Sequence, residues 1–192
     1  MHPNFSAVKA ANREPTKPWE HPGSGEAFIW DLFSAPTLPA AYAKCDCLMV
    51  IPPWPLGFKF FEKAAAVQTT RSYQGFARQM QTVIEAAGKP TAIMLPFNYR
   101  TVFAKEFVAG LKLLKLKWVD GGTVTFGFWK AEPPANDGTY VGMVKAMAKS
   151  FDCVGDFLCG YGMNGRLFAE SGKRYVMSDY NQKCIAYLTG KQ

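Results

Sequence analysis

Gly155-Asp156-Phe157-Leu158-Cys159-Gly160-Tyr161-Gly162-Met163-Asn164-Gly165 decides the fold of this chain. A strand-like run, 152–158, leads into Gly160-x-Gly162-x-x-Gly165, and helix formers follow, Arg166-Leu167-Phe168-Ala169-Glu170. Glycines at this spacing let a strand turn sharply into a helix and let a ligand approach the backbone. Gly172-Lys173-Arg174 ends the helix, and Tyr175-Val176-Met177-Ser178 reads as the next strand. Asp179 closes that strand, 23 residues after Asp156. An acid at about 20 residues beyond a glycine loop is the usual partner of a ribose diol.

A second stretch lies about a hundred residues earlier: Asp46-Cys47-Leu48-Met49-Val50-Ile51-Pro52-Pro53-Trp54. Its apolar run predicts a buried strand over 45–51. Pro52-Pro53 ends the strand abruptly, because neither residue can donate to a ladder. A loop stiffened by two prolines at the carboxyl end of a central strand is where an α/β sheet holds its ligand. Trp54 then offers a flat face, whether to a ligand or to a surface turn.

Together the two stretches resemble the amino-directed methyltransferases. Residues 155–162 resemble the Asp-Pro-Phe-x-Gly-x-Gly loop that holds S-adenosylmethionine, with Phe157 where the family has Pro. Ile51-Pro52-Pro53-Trp54 resembles their Asp-Pro-Pro-Tyr/Trp catalytic loop, with Ile51 in the place of Asp. The catalytic loop comes first and the cofactor loop last, which is the circularly permuted order of the β-class DNA adenine and cytosine-amino enzymes and of the RNA adenine enzymes. The resemblance runs over roughly 30–188. It implies a three-layer α/β Rossmann-like sandwich, mostly parallel, with an antiparallel hairpin. It implies S-adenosylmethionine as cofactor, held by Asp156, Phe157, Cys159, Gly160, Gly162, Gly165 and Asp179. Asp31 stands 20 residues before Ile51, where the family often has an acid that sets the cofactor's adenine; a helix N-cap suits Asp31 equally. Trp54 would stack on an extruded base.

The chemistry sets one test. An exocyclic adenine amine is a poor nucleophile because its lone pair is delocalised into the ring. In the family the first loop residue and the next proline carbonyl accept the amine's hydrogens. Ile51 can accept nothing, and one lost acceptor at a preorganised site costs on the order of a hundredfold. Pro52, Pro53 and Trp54 remain, with Asp46, Asp31 or Asn98 to stand in. The expected function is methyl transfer from S-adenosylmethionine to an exocyclic amino group of a nucleic-acid base, adenine first. The alternatives are a catalytically lapsed relative that binds nucleic acid or a partner subunit, and an enzyme acting on a small molecule or protein.

Composition agrees with a single domain of 192 residues, with 48% hydrophobic residues to form a core. No run is long and apolar enough to span a bilayer, and 1–22 lacks a signal-peptide core, so a cytoplasmic, membrane-free protein is expected. Five cysteines without paired Cys-x-x-Cys knuckles argue against a disulfide framework and against a structural zinc, and no metal is expected. The charge is uneven: residues 59–130 carry 11 Lys and Arg against 4 Asp and Glu, while the flanks are nearly neutral. A basic segment between the two motifs suits nucleic acid, DNA ahead of RNA, although a solvated basic face has the same composition.

Residues 1–25 read as an extended arm and 26–192 as the domain. Leu56 to Val67 reads as the loop and helix behind the catalytic turn. Tyr73 to Ala87 has helical spacing, stopped by Gly88 and Pro90. Thr91 to Leu95 reads as a buried strand, which brings Asn98, Tyr99 and Arg100 to the same sheet edge as Trp54, for substrate contact or for capping. Thr101 to Leu111 reads as one helix. Leu114 to Val119 and Thr123 to Trp129 alternate around Asp120-Gly121-Gly122, a hairpin signal. Lys115 and Lys117 share one face of it and are candidate phosphate contacts. The connector 131–138 is too short for a recognition domain. Sequence readout is left to small elements, to a homodimer or heteromer, or to none.

Overall fold

A computed structural model describes residues 25–32, 35, 37–53, 58 and 72–190. The arm 1–24, Trp54, and the loop and helix expected over 56–67 (Phe58 apart) lie outside the described residues. Seven strands form one sheet: β1 (Gly25–Ile29), β2 (Cys47–Val50), β3 (Thr91–Leu95), β4 (Lys112–Lys117), β5 (Thr123–Trp129), β6 (Cys153–Asp156) and β7 (Arg174–Asp179). Their spatial order is β1-β7-β6-β2-β3-β5-β4. The first five in that order are mutually parallel, and β5 runs antiparallel to both of its neighbours.

Six α-helices among the described residues flank the sheet, α1 (Tyr73–Ala87), α2 (Tyr99–Val102), α3 (Lys105–Ala109), α4 (Tyr140–Ser150), α5 (Met163–Glu170) and α6 (Gln182–Thr189), with a 3-10 turn at Ala40–Lys44. Successive residues of a strand face opposite layers, and β2 divides accordingly. Leu48 and Val50 join Phe76, Met80 and Ile84 of α1 in one core. Cys47 and Met49 join Met143 and Met147 of α4 and Phe168 of α5 in the other. The result is a three-layer α/β sandwich with a predominantly parallel sheet.

Local chemistry sets the element ends. Ser72 caps α1, its Oγ accepting from the Gly75 N–H at 3.1 Å, and Gly88 closes it in the left-handed region at φ 66°. The helix expected over 101–111 is two short ones, α2 and α3. The backbone turns extended at Phe103 and Ala104, where Phe103 is buried and the Ala104 N–H donates to Gln81 Oε1 of α1 at 2.9 Å. A tertiary contact has overridden helix propensity there. The strand expected over 152–158 stops at Asp156, because that side chain accepts from the Leu158 N–H at 3.3 Å and turns the chain.

Topology creates the site. From β6 the chain crosses through α5 to β7, toward the β1 edge; from β2 it passes through α1 to β3, toward the β4 edge. Adjacent strands whose connections leave in opposite directions open a crevice at their carboxyl ends. That crevice lies between β6 and β2, where the glycine loop and the Pro-Pro loop emerge.

Candidate functional site

The glycine loop is held by its own backbone and by one acid. Gly160 and Gly162 take φ of 51° and 78°, a region in which a side chain is strained. A Cβ on Gly160 would meet nothing within 4 Å, so this turn faces open space. A Cβ on Gly165 would sit 2.5 Å from the Met177 sulfur, so this glycine lets α5 lie directly on β7. The three glycines therefore divide the work into an open turn, a tight turn and a helix–sheet contact.

Asp179 ends β7 and is fully buried. Its Oδ2 accepts from the Gly160 N–H at 2.9 Å and its Oδ1 from the Asn181 N–H at 2.8 Å. Burial raises its pKa to about 6, against the pull of these backbone bonds. Asp156 is also buried. Its Oδ1 accepts from Leu158 N–H and its Oδ2 from Asn164 Nδ2 at 2.7 Å. Burial raises its pKa to about 7, and the nearby Asp179 adds to the rise. Tyr140 of α4 donates to Asn164 Oδ1, so the chain Tyr140–Asn164–Asp156 ties α4 and α5 to the loop.

From the opposite layer, Tyr42 donates its hydroxyl hydrogen to the Asp156 carbonyl at 3.1 Å. That leaves its oxygen to accept from the Ser178 hydroxyl at 2.6 Å. Tyr42 thus links β6 to β7 directly beneath the loop. Sequence reading misses Tyr42, Tyr140 and Asn164 as parts of the site. Asn164 carried a signal, as a polar residue in the first turn of a helix whose other inward positions are apolar. Tyr42 carried none, being 114 residues from its partner.

The other predicted residues around this loop divide clearly. Phe157 is buried, its ring edge-on to Trp30 with centroids 5.8 Å apart, so its side chain belongs to the core. Cys159 is buried, and its N–H donates to the Ser178 carbonyl at 3.2 Å. Asp31 is half-buried just past β1, which pairs in register with β7 up to Ile29 opposite Asp179. It therefore lies on the loop's side of the crevice, two strands from β6.

Across the crevice, Ile51 packs on the core under α4 and α5, Pro52 is buried, and Pro53 is half-exposed. Parallel pairing of Val50 with Ile93 sets Pro53 level with Pro96. Asn98 lies in the turn after β3, the strand neighbouring β2 in sheet order, at the N-cap of α2. Its Oδ1 is buried and has no hydrogen-bond partner among the described residues. Arg100 is exposed, with its guanidinium 5.7 Å from the Tyr99 ring centroid. Phe97, which sequence reading passed over, is 75% exposed at this rim.

Register carries the rim further: Leu95 lies opposite Thr125 and Lys115 opposite Thr125, while Lys117 lies opposite Thr123. Lys115 and Lys117 are exposed and share one face of the hairpin, with Lys117 at the same edge as Phe97. Asp46 does not belong to this group. It sits at the amino end of β2, where its Oδ2 accepts from the Asp152 and Cys153 N–H groups at 2.9 Å. A surface depression lined by Lys112, Trp129, Lys130 and Glu132 is likewise at the amino edge, away from both loops. The described residues contain no cluster of three or more metal-ligating side chains, and none of their helices is long and apolar enough to cross a membrane.

This strand order and direction, with two loops emerging at a switch point, defines a Rossmann-like sandwich of the methyltransferase type. Among solved structures the chain is similar to M1.HpyAVI, with a TM-score of 0.53 at 12% identity over 87% of this chain and 98% of that one. It is similar also to the M1.HpyAVI–SAM complex, with a TM-score of 0.52 at 11% identity and the same coverage. TTHA0409 of Thermus thermophilus, described as a candidate DNA modification methylase, gives 0.42 at 13% identity over 86% and 97%. No protein-family model matches the chain, and no curated protein matches it.

Proposed function

We propose that this protein transfers a methyl group from S-adenosylmethionine to the exocyclic amine of a nucleic-acid base, with adenine in DNA as the foremost acceptor. The observation that carries the reading is the meeting of the glycine loop and the Pro-Pro loop at one crevice, although they lie about a hundred residues apart in sequence. The motif order fits a circularly permuted arrangement of the fold. M1.HpyAVI, solved as a complex with SAM, supports the same cofactor by likeness of fold.

The residues present fit that cofactor. Gly160 leaves room where a side chain would intrude, and a buried acid closes the next strand beside it. Asp179 would accept from the ribose hydroxyls while keeping Gly160 in place, since each carboxylate oxygen has a second lone pair. Asp31 would lie toward the adenine end. When bound, S-adenosylmethionine supplies an electrophilic methyl on a sulfonium, so the protein's task is placement. Pro52 would offer its carbonyl to the acceptor amine, and Pro53 would stiffen the turn. Trp54 is assigned to base stacking from its sequence position alone. Phe97, Arg100, Lys115 and Lys117 form a rim that suits a phosphate backbone with an unstacked base beside it.

The test is calorimetric titration of the protein with S-adenosylmethionine and with its demethylated product, with and without a mixed oligonucleotide, followed by transfer of radiolabelled methyl. Cofactor binding that tightens with nucleic acid, with label recovered on adenine, is the expected result. Nucleic-acid binding without cofactor binding would reduce the protein to a lapsed relative kept for binding.

A further inference from the structure

The amine needs an acceptor that Ile51 cannot supply, and the carboxyl edge offers few. Asp46 is at the opposite edge, with one carboxylate oxygen engaged by two backbone N–H groups. Asp31 follows β1, three strands from β2, or about 14 Å at the usual strand spacing. Asp156 and Asp179 are buried, and their oxygens already accept from Leu158, Asn164, Gly160 and Asn181. Asn98 differs in that no described residue engages its acceptor oxygen. It lies in the turn after β3, the strand next to β2, at the same sheet edge as the Pro-Pro loop, and its Oδ1 is buried without a partner among the described residues. Native structures rarely leave a buried amide oxygen unbonded, and an exception calls for an explanation such as a ligand.

Resting on the function proposed above, we infer that Asn98 Oδ1 accepts a hydrogen of the acceptor amine and takes over the role that Ile51 has lost. A carboxamide oxygen suits the task. It draws the amine's hydrogen out of the ring plane and localises the nitrogen lone pair, yet takes no proton itself. The proton released after transfer passes to solvent. Asn98 is then a catalytic residue in contact with the acceptor, in the turn after a different strand from the family's usual position.

The experiment compares two single-stranded oligodeoxynucleotides of one mixed sequence, one with adenine and one with purine (which lacks the 6-amine) at every adenine position. Binding is followed by fluorescence anisotropy with the demethylated cofactor present, and methyl transfer is measured separately. Wild type is expected to prefer adenine, with about fivefold of the preference, the worth of one net hydrogen bond, due to Asn98. Asn98→Leu should lose that share of the preference and slow transfer by about 100-fold. Asn98→Asp, which keeps an acceptor, should retain both to within several-fold. Should the leucine variant fail to melt cooperatively, Asn98→Ala makes the same comparison. A leucine or alanine variant that keeps both the preference and the rate overturns the role of Asn98 and leaves the proposed function intact. Wild type with neither preference nor transfer overturns the proposed function, and this inference with it.

Discussion

The loop after β6 and the loop after β2 leave neighbouring strands at the same edge, yet they are built in opposite ways. The glycine loop is polar beneath its surface: two buried carboxyls, an asparagine and two tyrosine hydroxyls hold it from both layers. The Pro-Pro loop is held by ring geometry and by an apolar contact of Ile51, and Asn98 Oδ1, in the turn after the neighbouring strand, has no partner among the described residues. A cofactor pocket must have its shape before the ligand arrives, so its polar groups are satisfied within the fold. An acceptor pocket must leave an unmet hydrogen-bond demand for the substrate to meet.

Substitutions on the two sides should separate accordingly. Gly160→Trp fills the open turn and should lower affinity for S-adenosylmethionine by at least ~100-fold by calorimetry, equivalent to ~3 kcal/mol. Unchanged affinity would move the pocket elsewhere.

The two buried carboxyls predict a pH dependence. Their folded pKa values, about 7 for Asp156 and about 6 for Asp179, lie above the ordinary 3.8. The folded state therefore holds these protons more tightly, and the associated stability is complete below about pH 4 and lost as pH rises through 6 and 7. Asp156→Asn should flatten the fall in unfolding free energy between pH 4 and 7 by on the order of 2 kcal/mol, read from urea melts at several pH values. An unchanged slope would mean that Asp156 is not the titrating group.

Gly165→Val forces a side chain onto Met177 and should cost ~2 kcal/mol, or roughly 4–8 °C of melting temperature. Tyr42→Phe removes one hydroxyl between Asp156 and Ser178 and should cost ~1 kcal/mol in the same melts. The smallest effect belongs to the rim. Lys115→Ala with Lys117→Ala should weaken oligonucleotide binding several-fold at low salt and reduce the log–log salt slope by about one to two. An unchanged salt slope would turn the nucleic-acid track away from the hairpin.

Much of this was legible in the chain. The glycines at 160, 162 and 165 required a strand-to-helix turn, because few other residues tolerate those φ values or that approach to Met177. Pro52-Pro53 had to end a strand, and Asp120-Gly121-Gly122 had to reverse one. What local pattern could not carry was the use made of polar groups. Asp46 and Asn98 read equally well as stand-ins for the missing acceptor, and only the sheet separates them by its two edges. Asp156 reads as a ligand-side acid, whereas in the structure both its oxygens serve the loop.

By itself the sequence determined the class of sheet, the two loops and their order, since these follow from backbone sterics, glycine conformational freedom and the missing donors of proline, all of them local. Only the tertiary structure decided that the loops share one crevice and that Tyr42 reaches Asp156 across 114 residues. Those depend on strand register and on the strand order β7-β6-β2-β3, contacts between residues far apart in the chain that no short window of sequence encodes.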